Sequence, residues 1–419
     1  MKTLSLAWRN LLRQKRRTLI TLSALIVGMC GLVVFQGYIV SLMNGFREST
    51  IRSGLGHLQV AKTAGYFEDG EFNPYAFTLP DSAGLAADLS RRPGVLAAFP
   101  STGFTSIAGV ADKSVTLLVK GYPAERMYFV PAQPDRGQAG RTAGAGQPPR
   151  DRFGLGTLVA GAAPAPGDRD RLVLGETAAR ILGVQPGAVI TLMAVLPDGG
   201  LNGRDFTVEG IYRDPGRDKV FAFTDYDTAA DFTGIANAPV VHVLAEDIAA
   251  VSAISSAVPA GLAVRTWHDL ATYYVQVNTM FGGFLGVIRI IILLVTLFIM
   301  ANTMNRIVRE RMREWGTLRA MGMKKRRILL LVVLEGGLQG VVGAALGVLA
   351  GLGLSALINL QGGLPVPFAN GGQRVVVRLL LSAQPAWNLV PAALFAAAAS
   401  FLPGLRATRL TPSECLRQV

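Results

Sequence analysis

The residue types that usually carry chemistry are sparse in this sequence and far apart. The histidines, His57, His242 and His268, have no metal-ligand spacing to one another or to a cysteine. No G-x-x-x-x-G-K-[ST] phosphate loop and no G-x-S-x-G nucleophile turn occurs, and the Gly-Leu-Gly run at 154–156 lacks a following basic residue. We therefore predict that this chain is not an enzyme and contains no catalytic residue, metal ligand or cofactor site.

The composition narrows the class of protein. Of 419 residues, 50% are hydrophobic and only 16% are charged, yet the net charge is +13. The mean hydropathy is +0.38. Soluble domains carry about 25% charged residues, and a nucleic-acid-binding protein of this charge would be rich in both signs. The composition excludes nucleic-acid binding and disorder, and it favours a protein in contact with a lipid membrane.

Four long segments nearly lack charge and predict membrane helices. They span residues 18–46, 280–304, 328–360 and 379–405. Each is long enough to cross a hydrocarbon core of about 30 Å, although three prolines make the fourth the least regular. Two ionisable residues fall inside these segments, Arg289 in the second and Glu335 in the third. Charges at that depth are candidates for function, and snorkelling to the interface is the alternative for Arg289.

The distribution of basic residues predicts the orientation of these helices. Residues 1–17, 305–327 and 406–419 together carry eighteen basic and three acidic side chains, a net +15, which leaves −2 for the remainder. Lys and Arg collect on the cytoplasmic side of membrane proteins. We predict cytoplasmic termini, with residues 1–17 as an amphipathic helix, 406–419 as a tail and 305–327 as a cytoplasmic segment. Residues 47–279 and the loop 361–378 would lie outside.

Residues 47–279 are predicted to fold as a domain. Alternation of apolar and polar residues predicts strands at 57–60, 114–119, 189–192 and 206–212, and start and stop signals predict helices at 82–90 and 177–182. Residues 131–170, rich in Pro, Gly, Ala and Arg, predict a flexible loop. The predicted fold is an α-helical membrane protein with four transmembrane helices and a large α+β extracytoplasmic domain between the first and second.

The segment 305–327 has a pattern that membrane orientation alone does not explain. Glu310 and Glu314 are like charges four residues apart, which mildly destabilises an isolated helix. Gly316 and Gly322 flank a short Thr-Leu-Arg-Ala-Met stretch. A charged helix that ends at glycine and is followed by a short amphipathic piece is typical of an element that docks in a partner's groove. A solvated helix end is the alternative interpretation.

Glycines recur at every third or fourth position of the third apolar segment. Small residues at this spacing let helix backbones approach closely in lipid, so they predict a packing face, either within or between subunits. These glycines are Gly336, Gly340, Gly343, Gly347 and Gly351.

The 305–327 segment resembles the pattern that follows the second membrane helix in FtsX-like ABC transporter permeases, approximately N-x-x-x-x-x-V-x-E-R-x-R-E-x-G-x-x-R-A-x-G. The matching residues are Asn302, Val308, Glu310, Arg311, Arg313, Glu314, Gly316, Arg319, Ala320 and Gly322. Residues 7–18, 172–192 and 412–417 resemble three further motifs of this family. The family includes MacB-type exporters and Lol-type lipoprotein-releasing permeases.

The resemblance implies a permease subunit of the bacterial inner membrane, without a fused ATPase, that moves its periplasmic domain when a separate cytoplasmic ATPase closes. That ATPase would bind ATP and Mg, and a second permease, identical or different, would complete the transporter. The 305–327 segment would be the coupling helix. The residues expected to contact the ATPase are Glu310, Arg311, Arg313, Glu314, Gly316, Arg319, Ala320 and Gly322.

The cargo is inferred from the same resemblance. Residues 45–48 and 54–60 are more similar to the Lol-type branch, so release of lipoproteins or lipids, with a periplasmic lipoprotein carrier, is expected. Two alternatives stay open. One is efflux of small molecules or peptides with a periplasmic adaptor protein, and the other is regulation of cell-wall hydrolases.

Overall fold

The computed structural model describes residues 15–70, 73–131, 149–214, 220–365, 376–381 and 387–409. The chain divides into two units. One combines Met1–Gly45 with Gln276–Val419, and the other is Phe46–Val275. The predicted domain 47–279 corresponds to the second unit, apart from its last residues, which belong to a long helix of the first.

The elements follow one another along the chain as a long helix, a run of strands with short helices, and three more long helices. The helices are α1 (Lys15–Thr50), α2 (Tyr66–Asp69), α3 (Ser82–Ser90), α4 (Glu176–Leu182), α5 (Tyr226–Thr233), α6 (Ile248–Ser256), α7 (Trp267–Leu270), α8 (Thr272–Glu310), α9 (Met312–Ala320), α10 (Lys325–Leu360) and α11 (Leu389–Arg409). The strands are β1 (Leu58–Ala61), β2 (Val95–Val110), β3 (Lys113–Tyr122), β4 (Met127–Pro131), β5 (Phe153–Gly161), β6 (Arg171–Gly175), β7 (Val189–Val195), β8 (Leu201–Arg213), β9 (Phe221–Asp225), β10 (Val240–Ala245), β11 (Ala263–Thr266), β12 (Leu364–Pro365) and β13 (Val376–Val377).

Among the described residues, the four helices α1, α8, α10 and α11 are long and apolar enough to cross a membrane. The predicted segments 18–46, 280–304 and 328–360 lie within the first three. The fourth segment, predicted at 379–405, was placed too far toward the N-terminus, because α11 begins at Leu389.

The late start of α11 has a local cause. The Asn359 side chain accepts from the Leu379 backbone N–H at 2.8 Å and donates to the Leu379 carbonyl at 2.9 Å, which holds this residue outside a helix. Pro391 lies in the first turn of α11, where a backbone N–H would have no helical partner and proline is tolerated.

The Phe46–Val275 unit is built on an eleven-stranded sheet. Its order is β11-β1-β10-β2-β3-β9-β6-β8-β5-β4, and β7 pairs with both β2 and β8. Three pairs are parallel, namely β3–β9, β4–β5 and β6–β8, and the other pairs are antiparallel. The long strand β2 joins the two halves of the sheet, since its first part pairs with β10 and its second part with β3.

Most of the local predictions for this unit are confirmed. The strands predicted at 57–60, 114–119, 189–192 and 206–212 overlap β1, β3, β7 and β8. The helix at 82–90 is α3, in which the Asp81 carboxylate accepts from the Gly84 N–H at 2.8 Å. The helix at 177–182 lies in α4, which ends at Gly183 with a left-handed φ of 75°.

The prediction of a flexible loop over 131–170 is wrong in part. Strand β5 lies in this region, and its Phe153 and Leu155 are fully buried in an aromatic core. Gly154 and Gly156 alternate with these two residues. Because glycine is depleted in strands, the sequence pattern predicted a loop here. Residues 132–148 lie outside the described residues.

Candidate coupling site

The predicted coupling segment is two helices and a turn rather than one helix. Helix α8 ends at Glu310, and Arg311 has a non-helical backbone with φ −101° and ψ 13° before α9 begins. A second break occurs at Gly322, whose φ of 92° is left-handed and suits glycine. The expectation that the first helix ends at Gly316 is wrong, because Gly316 lies buried within α9.

Arg311, at the first break, forms ion pairs with one exposed carboxylate, that of Glu314, and one buried carboxylate, that of Glu335. Its Nε donates to Glu314 at 2.9 Å, and its Nη1 donates to Glu335 Oε2 at 3.2 Å. The guanidinium carbon lies 5.9 Å from the centre of the Trp315 ring. The side chain of Arg311 is 11% exposed and that of Glu335 is 4% exposed. Since a buried charge is costly without a partner, this pair ties the start of α9 to α10.

Trp315 adds an apolar contact between the same two helices. It is 2% exposed and packs with Val308 of α8 and with Ile328 and Val332 of α10. The indole Nε1 is buried and has no hydrogen-bond partner in the part of the chain that the structure describes. Helix α9 is therefore joined to α8 through the backbone and held against α10 by side chains.

The predicted coupling residues differ in exposure. Glu310, Arg313, Glu314, Ala320 and Gly322 are exposed, Arg311 and Arg319 are half-buried, and Gly316 is buried. Arg313, Thr317 and Ala320 are exposed at helical spacing, so they form one accessible face of α9.

The two predicted intramembrane charges have different surroundings. Glu335 is buried and pairs with Arg311, whereas Arg289 is exposed on α8 between apolar residues that are also exposed. Sequence reasoning missed both the Arg311–Glu335 pair and the role of Trp315. The signal was present, because Gly322 lies near the midpoint between Arg311 and Glu335, and a turn there brings them together.

Two glycines of α10 contact the last helix closely. A Cβ atom added at Gly336 would lie 1.7 Å from Ser400 Oγ, and one at Gly340 would lie 2.5 Å from the Cβ of Ala396. Both partners belong to α11. Any larger residue at these two positions would force α10 and α11 apart.

The other three predicted packing glycines face α1 instead. A Cβ at Gly343, Gly347 or Gly351 would lie 3.0 Å from Leu25 Cβ, 2.5 Å from Met29 Cβ or 2.7 Å from Val33 Cβ, respectively. The structure thus places all five glycines in contacts within one chain, divided between two neighbouring helices.

The histidines belong to the Phe46–Val275 unit. His57 and His242 are buried in the sheet unit, and burial lowers their pKa values from 6.5 to about 4 and about 3. His57 Nδ1 accepts from the Ala245 N–H at 3.1 Å, while His268 is exposed. Within the described ranges, no group of three or more His, Cys, Asp or Glu side chains could hold a metal ion.

Comparison with family models identifies the class. Residues 18–260 match the MacB-like periplasmic core domain, and residues 286–412 match the FtsX-like permease C-terminal region. Together with the four apolar helices, these matches define an ABC transporter permease. The chain belongs to the FtsX-like permease family and carries a MacB-like periplasmic core domain.

Curated relatives are transporter permeases as well. Over 154 residues the chain is 31% identical to the ABC transporter permease YvrN of Bacillus subtilis, covering 37% of this chain and 35% of that protein. Over 133 residues it is 35% identical to the macrolide export ATP-binding/permease protein MacB of Brucella abortus, covering 32% of this chain and 19% of that protein. The chain therefore spans about a third or less of these relatives' lengths.

Solved structures give weaker likenesses. The periplasmic region of MacB from Actinobacillus actinomycetemcomitans aligns with a TM-score of 0.34 at 16% identity, covering 52% of this chain and 92% of that one. The extracellular domain of the transporter YknZ from Gram-positive bacteria aligns with a TM-score of 0.31 at 10% identity, covering 44% and 89%. The family assignment rests on the sequence matches alone.

Proposed function

We propose that this permease couples ATP hydrolysis by a separate cytoplasmic subunit to movement of its sheet domain on the other side of the bacterial inner membrane. The observation that carries the proposal is the arrangement of α9. Its accessible face, formed by Arg313, Thr317 and Ala320, is available to a partner, while Arg311 and Trp315 fix its other side to α10.

The helix geometry suits transmission of a movement. Helix α8 is continuous over 39 residues from the end of the sheet unit to the break at Arg311. A partner that displaces α9 would therefore tilt α8 as a rigid body and would also move α10 through the Arg311–Glu335 pair. The coupling roles of Arg319, Gly316 and Gly322 belong to this proposal.

The charge distribution and the family membership support the proposed orientation and partners. The excess of basic residues in 1–17, 305–327 and 406–419 supports cytoplasmic termini and a cytoplasmic α9. A permease of this kind requires an ATPase, so ATP and Mg would be bound by that partner and not by this chain. A second permease, either another copy or a different chain, would complete the transporter.

For the cargo we propose lipoproteins or lipids released from the outer leaflet, with a periplasmic carrier as acceptor. The similarity of residues 45–48 and 54–60 to the Lol-type branch supports this cargo. The alternative is efflux of small molecules or peptides with an adaptor protein. It is favoured by the 35% identity to a protein named for macrolide export.

The test begins with purification of the chain from its native membranes and identification of the proteins that accompany it. We expect an ABC ATPase among them, and its absence would contradict the proposal. The variant Arg313→Glu reverses an exposed charge on α9 and should lose most of that ATPase while still inserting. Arg326→Glu is the matched control, since Arg326 is exposed on the first turn of α10 and outside the α9 face.

The cargo is tested separately, in proteoliposomes that contain the purified complex. We expect ATP-dependent transfer of a lipoprotein to a soluble acceptor, and this transfer should be lost in Gly316→Pro, which breaks α9. ATP-dependent export of a macrolide without lipoprotein transfer would favour the alternative. Full transfer by the Gly316→Pro complex would contradict the coupling role of α9.

A further inference from the structure

A cavity of about 360 Å³ lies within the Phe46–Val275 unit, beside the turn that follows α1. Aromatic rings from three elements line much of it. They are Tyr66, Phe67, Tyr122, Phe221 and Phe223. The volume falls in the range of small-molecule sites, roughly 300–1,000 Å³, which are lined mostly by apolar and aromatic side chains with a few polar groups.

Hydrogen bonds hold one wall of the cavity in place. The turn Ile51–Leu55 forms this wall, and the left-handed φ of 112° at Gly54 permits the tight backbone. Two side chains from neighbouring strands donate to the same carbonyl, that of Leu55. Gln59 Nε2 lies 2.8 Å from this oxygen, and His242 Nδ1 lies 3.2 Å from it. These two hydrogen bonds hold the turn in place on this side of the cavity.

The charge of the cavity comes from Lys120 of β3. No acidic side chain lines the cavity among the residues the structure describes. A Cβ atom at Gly103 would lie 3.0 Å from Lys120 Cδ, so glycine there leaves room for the lysine stem. Lys120 and His242 both line the cavity. Lys120 also interacts within the protein, so a bound anion would interact with the ammonium group alongside that existing contact.

We propose that this cavity binds a flat, apolar molecule that carries a single negative charge, such as an aromatic carboxylate. Three of the lining rings, Tyr66, Phe67 and Phe221, are half-buried and can offer ring surface to a planar guest through offset and edge contacts. The carboxylate lies toward Lys120, where a charge-assisted hydrogen bond forms. This binding site goes beyond the transport function and does not depend on which cargo is moved.

The test uses the full chain in lipid nanodiscs and two probes of the same shape, 2-naphthoate and its neutral analogue 2-naphthamide. Binding is measured by isothermal titration calorimetry, with empty nanodiscs subtracted. We expect saturable binding of 2-naphthoate and at least about tenfold weaker binding in Lys120→Met, the loss of one charged contact. Binding of 2-naphthamide should be weak and the same in both proteins.

Two further variants keep the result interpretable. Lys113→Met removes an exposed lysine from the same strand but outside the cavity, and its affinity for 2-naphthoate should equal that of the wild type. Leu270→Trp places a large side chain in the cavity and should abolish binding of both probes. The proposal is overturned if the wild type shows no saturable binding, if Lys120→Met binds 2-naphthoate as tightly as the wild type, or if Leu270→Trp still binds it.

Discussion

Removal of the charge on Glu335 should weaken the contact between α9 and α10 while the membrane helices stay folded. Glu335→Gln keeps the shape of the side chain but breaks its ion pair with Arg311, which retains its 2.9 Å hydrogen bond to Glu314. A hydrogen bond to a charged group contributes about 1.5–3 kcal/mol. Because the two side chains are only 11% and 4% exposed, we expect a loss near the middle of that range, about 2 kcal/mol.

The loss can be measured as local opening, by amide hydrogen exchange of the purified chain in nanodiscs. An opening free energy that falls by about 2 kcal/mol corresponds to exchange roughly 30-fold faster. We expect this acceleration in peptides that cover 313–320. Peptides from the far half of α10, such as 343–355, should be unchanged, since their contacts with α1 do not involve Glu335.

A double-mutant cycle separates the pair from its surroundings. Arg311→Met alone leaves Glu335 buried beside an apolar side chain and should cost more, about 3–5 kcal/mol. The double variant should cost less than the sum, because no uncompensated charge remains. Equal exchange over 313–320 in Glu335→Gln and wild type would refute the reasoning. So would an equal acceleration in the surface control Arg326→Gln.

Three further effects are expected. Gly347→Ala forces a Cβ against the first membrane helix and should destabilise the chain by about 1–3 kcal/mol, seen as a lower Tm, whereas Gly353→Ala, with no neighbour within 4 Å, should not. His57 and His242 have folded pKa values lowered from 6.5 to about 4 and about 3. Below pH 6.5 the unfolded chain therefore binds more protons than the folded chain. The contribution of these neutral histidines to the free energy of unfolding is complete above pH 6.5 and is lost as the pH falls toward 3. Urea titrations at pH 7 and pH 4.5 should show this loss, and it should be smaller in His57→Gln; an equal loss in the variant would contradict it. Asp247→Ala removes the cap of α6 and should cost about 1 kcal/mol in the same titration, and an unchanged midpoint would argue against the cap.

The membrane helices and four of the strands, β1, β3, β7 and β8, were predictable because their signals are local. Long uncharged runs are typical of membrane helices, and alternation along β7 indicates which of its side chains face the core. The helix caps at Asp81 and Gly183 were predictable for the same reason. Asp81 accepts a backbone N–H at the start of α3, and Gly183 adopts the left-handed conformation that ends α4.

The errors arose where distant residues decide the structure. Strand β5 contains glycines that look like loop residues and is specified by pairing with β4 and β8. The break before α9 falls at Arg311, which is no helix-breaking residue and whose side chain contacts Glu335, 24 residues away. The sequence shows that Glu335 is an ionisable residue inside a predicted membrane segment, but it does not show that Arg311 is its ion-pair partner.

The division of the α10 glycines between two helices has a consequence for assembly during synthesis. Helix α1 is made before α10, so the contacts of Gly343, Gly347 and Gly351 can form as soon as α10 enters the membrane. The contacts of Gly336 and Gly340 must wait for α11, which follows α10 along the chain. During that interval the half of α10 nearer Lys325, which also carries Glu335, lacks its final neighbour. We therefore expect a nascent chain stalled before α11 to expose this half of α10 to lipid.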